Sequence, residues 1–241
     1  MTEFEQSNWA KAEFSRDYLD KADIYIVERR RMIAIIKSFF SHFLSLPCRQ
    51  RLLDLGCGDG IITHELLKSY GSITPTLVDG SEDMLSKAKE RLKGFEQISF
   101  IKTSFQEIIL GSANIGDGYH LIASSMAIHH LTFEGKKALF RTIHRTLHPG
   151  GFFVNIDVVL APTGQLDGWY MRLWEEWMDE KKASLGIAGD DSTDIIKRYK
   201  TLEENKPDLL EDQLNALRDI GFRNVDCFYK YGIFSIYGGA K

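Results

Sequence analysis

Asp54, Gly56, Gly58 and Gly60 stand together in the run LLDLGCGDG at 52–60, where an apolar segment ends in an acid and passes into three alternate glycines. Lacking a Cβ, glycine permits a tight strand-to-helix turn and lets a ligand lie against the backbone. The helix that follows from Ile61 adds free N–H groups and partial positive charge. An ordinary glycine turn is the competing reading; the buried strand ahead of the glycines and the acid within the motif argue against it. Asp79, in TLVDGSEDML, ends the next apolar run nineteen residues beyond Gly60. A carboxylate there accepts both hydroxyls of a ribose, which says nucleoside without saying which one. Capping of the following helix by Asp79 or Ser81 is the alternative use.

A third group, His129 and His130 in SSMAIHHL, offers the side chain that takes up a proton near neutral pH. Against catalysis stands the ordinary fate of adjacent histidines, of which one usually packs or caps. Trp169, Tyr170, Trp174 and Trp177 recur at helical spacing and suit either an acceptor pocket or plain core. Cys48, Cys57 and Cys227 are odd in number and form no C-x-x-C pair, so neither a disulfide framework nor a zinc ribbon is encoded and reduced intracellular thiols are expected.

The elements that must position these residues follow from periodicity. Apolar runs at 51–55, 74–79, 98–102, 119–125 and 152–160 alternate with helical patterns at about 60–70, 81–93 and 132–147. Strands separated by helices read as parallel neighbours in a doubly wound sheet. An amphipathic helix at about 208–220 ends at Gly221, and the chain closes in two adjacent strands with Tyr231-Gly232 between them. So short a turn makes them an antiparallel pair, the final strand opposing the rest of the sheet. Residues 1–46 and 164–206 lie outside this pattern and read as helical caps.

LLDLGCGDG, LVDGSEDML, SSMAIHHL and LHPGGFF, at their spacings over 50–160, resemble the class I S-adenosylmethionine-dependent methyltransferases. The loop is G-x-G-x-G rather than the G-x-G-x-x-G of nicotinamide enzymes, and the antiparallel end of the sheet is a mark of the same family. The resemblance implies a Rossmann-like α/β fold: a doubly wound, mostly parallel seven-stranded sheet with an antiparallel C-terminal strand. It divides the chain into an N-terminal helical cap (1–46), the S-adenosylmethionine-binding domain (47–163 and 207–241) and a helical cap insertion (164–206).

By the same resemblance, Asp54 and the backbone at Gly56 and Gly58 hold the methionine part of the cofactor. Asp79, with Gly80 beside it, holds the ribose, and Met84 lies along one adenine face. Ser104 and Phe105 stand where the family usually has an acidic and a small residue that read the adenine amino group and ring nitrogen. A serine hydroxyl is a weaker acceptor than a carboxylate, which leaves the Phe105 N–H as the firmer contact. The Ser124 backbone approaches the cofactor's amino group. Arginine from Arg29-Arg30-Arg31, near Tyr18 and Tyr25, would pair with its carboxylate if it is not simply a solvated helix face. Some relatives hold a divalent ion with a Glu-x-x-Glu-His segment; here Met126 and His129 replace both acids, so no metal is expected.

Composition narrows the function. Thirty basic against thirty-four acidic residues give a net charge of −4, with no global pull toward polyanions. The first residues lack an apolar core region and no apolar run reaches the length of a membrane span, so a soluble cytoplasmic protein is expected. The expected reaction is in-line transfer of a methyl group from S-adenosylmethionine to a small-molecule acceptor, leaving S-adenosylhomocysteine. The alternatives are a tRNA-modifying relative, since nucleic acid is not excluded, and an NAD-binding oxidoreductase. A monomer and a homodimer are both compatible with the chain.

Overall fold

The computed structural model describes residues 3–44, 49–187 and 191–241. Seven strands run in chain order: β1 (Gln50–Leu55), β2 (Ile73–Asp79), β3 (Ser99–Lys102), β4 (Tyr119–Ser125), β5 (Leu147–Val158), β6 (Arg223–Tyr231) and β7 (Phe234–Ala240). Ten α-helices accompany them among the described residues: α1 (Glu3–Gln6), α2 (Ala12–Tyr25), α3 (Arg29–Phe43), α4 (Ile61–Ser69), α5 (Glu82–Arg91), α6 (Phe105–Leu110), α7 (Phe133–Thr146), α8 (Gly164–Leu185), α9 (Ser192–Thr201) and α10 (Leu210–Ile220).

The strands pair in the order β3-β2-β1-β4-β5-β7-β6. Pairs from β3 through β5 are parallel; β7 is antiparallel to both β5 and β6. The central strands are apolar on both faces because helices cover both. Leu52, Leu121 and Val154 enter one core, with α3, α4, α5 and α8 above them. Their neighbours Leu53, Ile122 and Phe153 enter the other, with α7 and α10. That is the period-two alternation of a strand seen across three adjacent strands. Chain order reverses between β1 and β4, the place where an open α/β sheet leaves a crevice at its carboxyl edge.

Two expectations shift. The hairpin turn is Gly232-Ile233 rather than Tyr231-Gly232, since Tyr231 pairs with Phe234. A two-residue turn of this kind needs a positive φ at its first residue, and Gly232 supplies it at 56°. The short helix α6 escaped the periodicity reading because six residues give too few repeats to register.

Close strand approach makes a stability prediction. A Cβ added at Gly238 of β7 would fall 2.0 Å from the Phe153 carbonyl oxygen of β5, whereas one at Gly168 on α8 meets nothing within 4 Å. Gly238→Ala should therefore cost at least the ~1–3 kcal/mol of an overpacked core in urea unfolding. Gly168→Ala should gain about 0.5–1 kcal/mol from helix propensity. Equal effects of the two would contradict the packing described.

Candidate active site

The glycine loop leaves β1 with Gly56, Gly58 and Gly60 at φ of 65°, 54° and 74°, a region that L side chains rarely adopt. Space divides their roles. A Cβ on Gly56 would stand 2.5 Å from that of Ala127, while one on Gly58 would meet nothing within 4 Å, because Gly58 faces a cavity. Gly56 N and Cys57 N both donate to Val78 O, at 2.8 and 3.0 Å, which holds the loop against the end of β2.

Asp79 completes that attachment. Its two carboxylate oxygens accept the N–H groups of Gly58 and Ser81, each at 2.9 Å. Each oxygen keeps a lone pair for a further donor. Burial raises its pKa, and the backbone donors from Ser81, Gly58 and Gly80 work the other way. Capping of α5 falls to Ser81, whose hydroxyl accepts from Met84 N at 3.4 Å.

The cavity in front of the loop has a volume of about 180 Å³, and Gly56, Gly58, Asp79 and Met84 line it as expected. Gly80, Ser104 and Phe105 also border it, with amendments. Over Gly80 lies the ring of Phe4, 2.7 Å from where a Cβ would stand, so the N-terminal arm covers that face. Ser104 caps α6 in a capping box: its hydroxyl donates to Glu107 Oε2 at 2.8 Å and accepts Glu107 N at 3.3 Å. Only one lone pair of the Ser104 oxygen is then left for a ligand.

Two expected contacts lie elsewhere. Asp54 is 1% exposed and does not reach the cavity wall; its Oδ2 accepts the Thr63 hydroxyl at 2.7 Å behind the loop. Burial, with the carboxylates of Asp79 and Asp59 adding to it, pushes its pKa up to about 7. Ser124 is also sealed, because β4 is paired on both sides at this residue and its hydroxyl donates to Leu55 O at 2.7 Å. The cavity begins one residue later, at Ser125.

His129 and His130 sit on one 3₁₀ turn, with ring centroids 4.0 Å apart, yet border different spaces. His130 lines the first cavity, and its Nδ1 lies 3.0 Å from Glu204 O. A carbonyl only accepts, so Nδ1 carries the hydrogen and Nε2 the lone pair, which is buried without a partner. Burial foremost, and His129 beside it, hold the His130 pKa well below the ordinary imidazole value. His129 borders a second cavity of about 110 Å³. Its backbone N donates to Asp157 Oδ2 at 2.9 Å and its Nδ1 to Oδ1 at 2.5 Å, which leaves Nε2 without a hydrogen bond.

The two cavities meet at Trp9, Ile26 and Met126. Met126 holds a φ of 54°, a strained state for a residue with a side chain and one that concentrates at functional sites. Trp174 borders the second cavity while packing edge-on to Tyr199 and Phe234, so it is core and wall together; Trp169 is exposed. Tyr25 borders the same cavity. Arg29 borders the first cavity but is held by Asp23 at 2.8 Å; Arg30 shares that partner at the surface, and Arg31 is exposed. The side chain of Tyr18, like Cys48, lies outside the described residues.

The strap from 202 to 208 was not foreseen, and no motif marks it. Glu204 Oε1 accepts both the backbone N and the Nδ2 of Asn8, at 3.0 and 2.9 Å, tying the arm to the His130 side of the cavity. Lys206 N donates to His129 O at 2.8 Å, and the fully buried Lys136 binds Lys206 O and Asp208 Oδ2.

Fold and site together define a doubly wound nucleoside-binding protein: an acid at the end of β2, a glycine loop at the end of β1 and an apolar chamber between them. Residues 52–151 match the methyltransferase domain family. Carboxy-S-adenosyl-L-methionine synthase of Methylococcus capsulatus is 26% identical over 223 residues, covering 89% of this chain and 84% of that protein. An O-methyltransferase family protein from Burkholderia thailandensis superimposes with a TM-score of 0.65 at 11% identity, covering 98% of this chain and 62% of that one. Phosphoethanolamine N-methyltransferase 2 of Haemonchus contortus, solved with phosphomonomethylethanolamine and S-adenosylhomocysteine, also gives 0.65, at 19% identity over 93% of this chain and 45% of that one. At such identities these two structures speak for the fold, and the chain spans less than two thirds of their length. Residues 52–151 are thus a methyltransferase domain, whose cofactor is S-adenosylmethionine. The nicotinamide alternative is thereby set aside. The residues fit such a cofactor: open space over Gly58, free lone pairs on Asp79 and an unpartnered His130 Nε2 on one wall. Among the described residues no helix is long and apolar enough to cross a membrane.

Asp54 generates a pH prediction. With a folded pKa of about 7 against an ordinary 3.8, the folded protein holds a proton that the unfolded chain releases between those values. Unfolding free energy therefore falls as pH rises from about 4 to 7, by up to about 4 kcal/mol. Asp54→Asn removes this contribution, so urea unfolding of both ligand-free proteins across pH 4.5–7.5 should show wild type losing ground to the variant as pH rises. A constant difference would mean that Asp54 ionises normally.

Proposed function

We propose that the protein transfers a methyl group from S-adenosylmethionine to a small-molecule acceptor lodged in the second cavity. The junction of the two cavities at Met126 carries this reading, because donor and acceptor must meet in line for the displacement. Bound, S-adenosylmethionine supplies an electrophilic methyl on a sulfonium. Asp79 receives the ribose hydroxyls on the lone pairs its backbone donors leave free, and the Phe105 N–H and Met84 meet the adenine. His130, kept neutral, offers its Nε2 lone pair to the cofactor's polar groups. His129 faces the acceptor, with Asp157 holding its Nδ1–H so that Nε2 is directed to take the acceptor's proton. Helical segments 1–46 and 164–206 act as the cap that keeps water out, through Phe4, Trp9 and Trp174.

Calorimetry should show S-adenosylmethionine and S-adenosylhomocysteine binding comparably. Asp79→Ala should weaken both by about 1.5–3 kcal/mol with the fold intact, the range for hydrogen bonds to a charged group. Unchanged affinity in that variant would confine Asp79 to fixing the loop.

A labelled-methyl screen of cell extract identifies the acceptor, and product mass separates methyl transfer from alteration of the donor itself, the reaction named for the carboxy-S-adenosyl-L-methionine synthases. His129→Ala should then slow single-turnover transfer about 10²–10⁴-fold with S-adenosylhomocysteine affinity kept. His130→Ala should act mainly on that affinity. A normal rate in folded His129→Ala would remove it from the mechanism.

A further inference from the structure

The second cavity has one cation at its border that the reading above leaves unused. Arg198, on α9, makes no hydrogen bond, ion pair or ring contact through its guanidinium among the described residues. Three other cations of the caps are engaged: Arg29 with Asp23, Arg172 with Glu176, Lys200 with Asp167. The rest of the lining is mainly aromatic and aliphatic, with polar groups on His129, Tyr25, Tyr199 and Asn205 and on the indoles of Trp9 and Trp174. Burial raises the Tyr199 pKa above the ordinary phenol value, so this hydroxyl brings no negative charge to compete for the arginine.

Size and chemistry then select a ligand. At about 110 Å³ the space is on the scale of an engineered apolar cavity of roughly 150 Å³ that takes benzene. Trp174, Tyr199 and Phe234 wall it with ring faces and edges, which favour a flat body. A guanidinium matches a carboxylate with two parallel hydrogen bonds. At the opposite chemical end, the His129 Nε2 lone pair suits an O–H donor.

Resting on the methyl-transfer reading, we infer that the second cavity binds a single-ring hydroxy acid, its carboxylate held by Arg198 and its hydroxyl presented to His129. The acceptor oxygen gains the methyl carbon, and the carbon–sulfur bond breaks with its electron pair left on sulfur, giving S-adenosylhomocysteine. The hydroxyl proton passes to His129 Nε2 and from there to solvent.

The test uses the full chain saturated with S-adenosylhomocysteine, with 3- and 4-hydroxybenzoate as probes against their methyl esters, followed by tryptophan fluorescence. The acids should bind saturably, and Arg198→Met should weaken them about tenfold or more while the esters change less than about twofold. Arg198→Lys should recover part of the loss, and added salt should weaken the acids alone. Acids binding no better than esters, no loss in Arg198→Met, or no binding of any probe would each overturn the hydroxy-acid assignment. S-adenosylhomocysteine affinity, measured in the same samples, separates that outcome from failure of the underlying reading, which would appear as wild-type protein that does not bind the adenosyl ligand.

Discussion

The hydrogen bonds from Gly58 N and Ser81 N to the two oxygens of Asp79 are the contact on which the site depends. Together with the bonds from Gly56 N and Cys57 N to Val78 O, they join the end of β2 to the loop into which β1 has turned. With the loop fixed, Gly58 faces open space and the N-terminus of α4 follows directly behind it. The same carboxylate is buried, so each backbone donor offsets part of the cost of keeping it ionised. A ligand donating two further hydrogen bonds would act in the same direction.

That cost is shared unequally among three acids. Asp59 is neutralised by Arg91, Asp79 is held by backbone donors, and Asp54 has Thr63 with no cation beside it. Asp54, the group with the poorest compensation, has its pKa pushed up to about 7. Asp54 stands behind the loop, off the cavity wall.

On the other side of the chamber the histidine turn divides labour by partner rather than by sequence. Asp157 and Glu204 O each take an Nδ1–H, and both rings then expose Nε2, one toward each cavity. Asp157 is itself part of a buried polar chain through Asn155 and Tyr237 to Gln213, which crosses β5 and β7 into α10. The antiparallel C-terminal strand thus supports the active side of the sheet as well as closing it.

How much of this was legible follows from the range of each interaction. The glycine loop, Asp79, Ser81 as a cap, the strand alternation and the final hairpin depend on residues close in the chain or on strict periods, so their types and spacing carried them. Asp54 and Ser124 lie off the cavity wall, because burial behind a loop or between two paired strands is set by the tertiary neighbours and not by the local sequence. The Ser104–Glu107 capping box is a local signature, S-x-x-E, and it occupies most of the hydroxyl that the resemblance assigns to the adenine. The division of His129 from His130, the meeting of two cavities at a strained Met126 and the strap at Glu204 leave no local pattern at all. Their partners are 28 and 74 residues distant for the histidines and 196 for Asn8 and Glu204. Sequence determined which chemistry the chain can hold, because backbone conformation and helix capping act over a few residues; only tertiary packing decided which side chains face it.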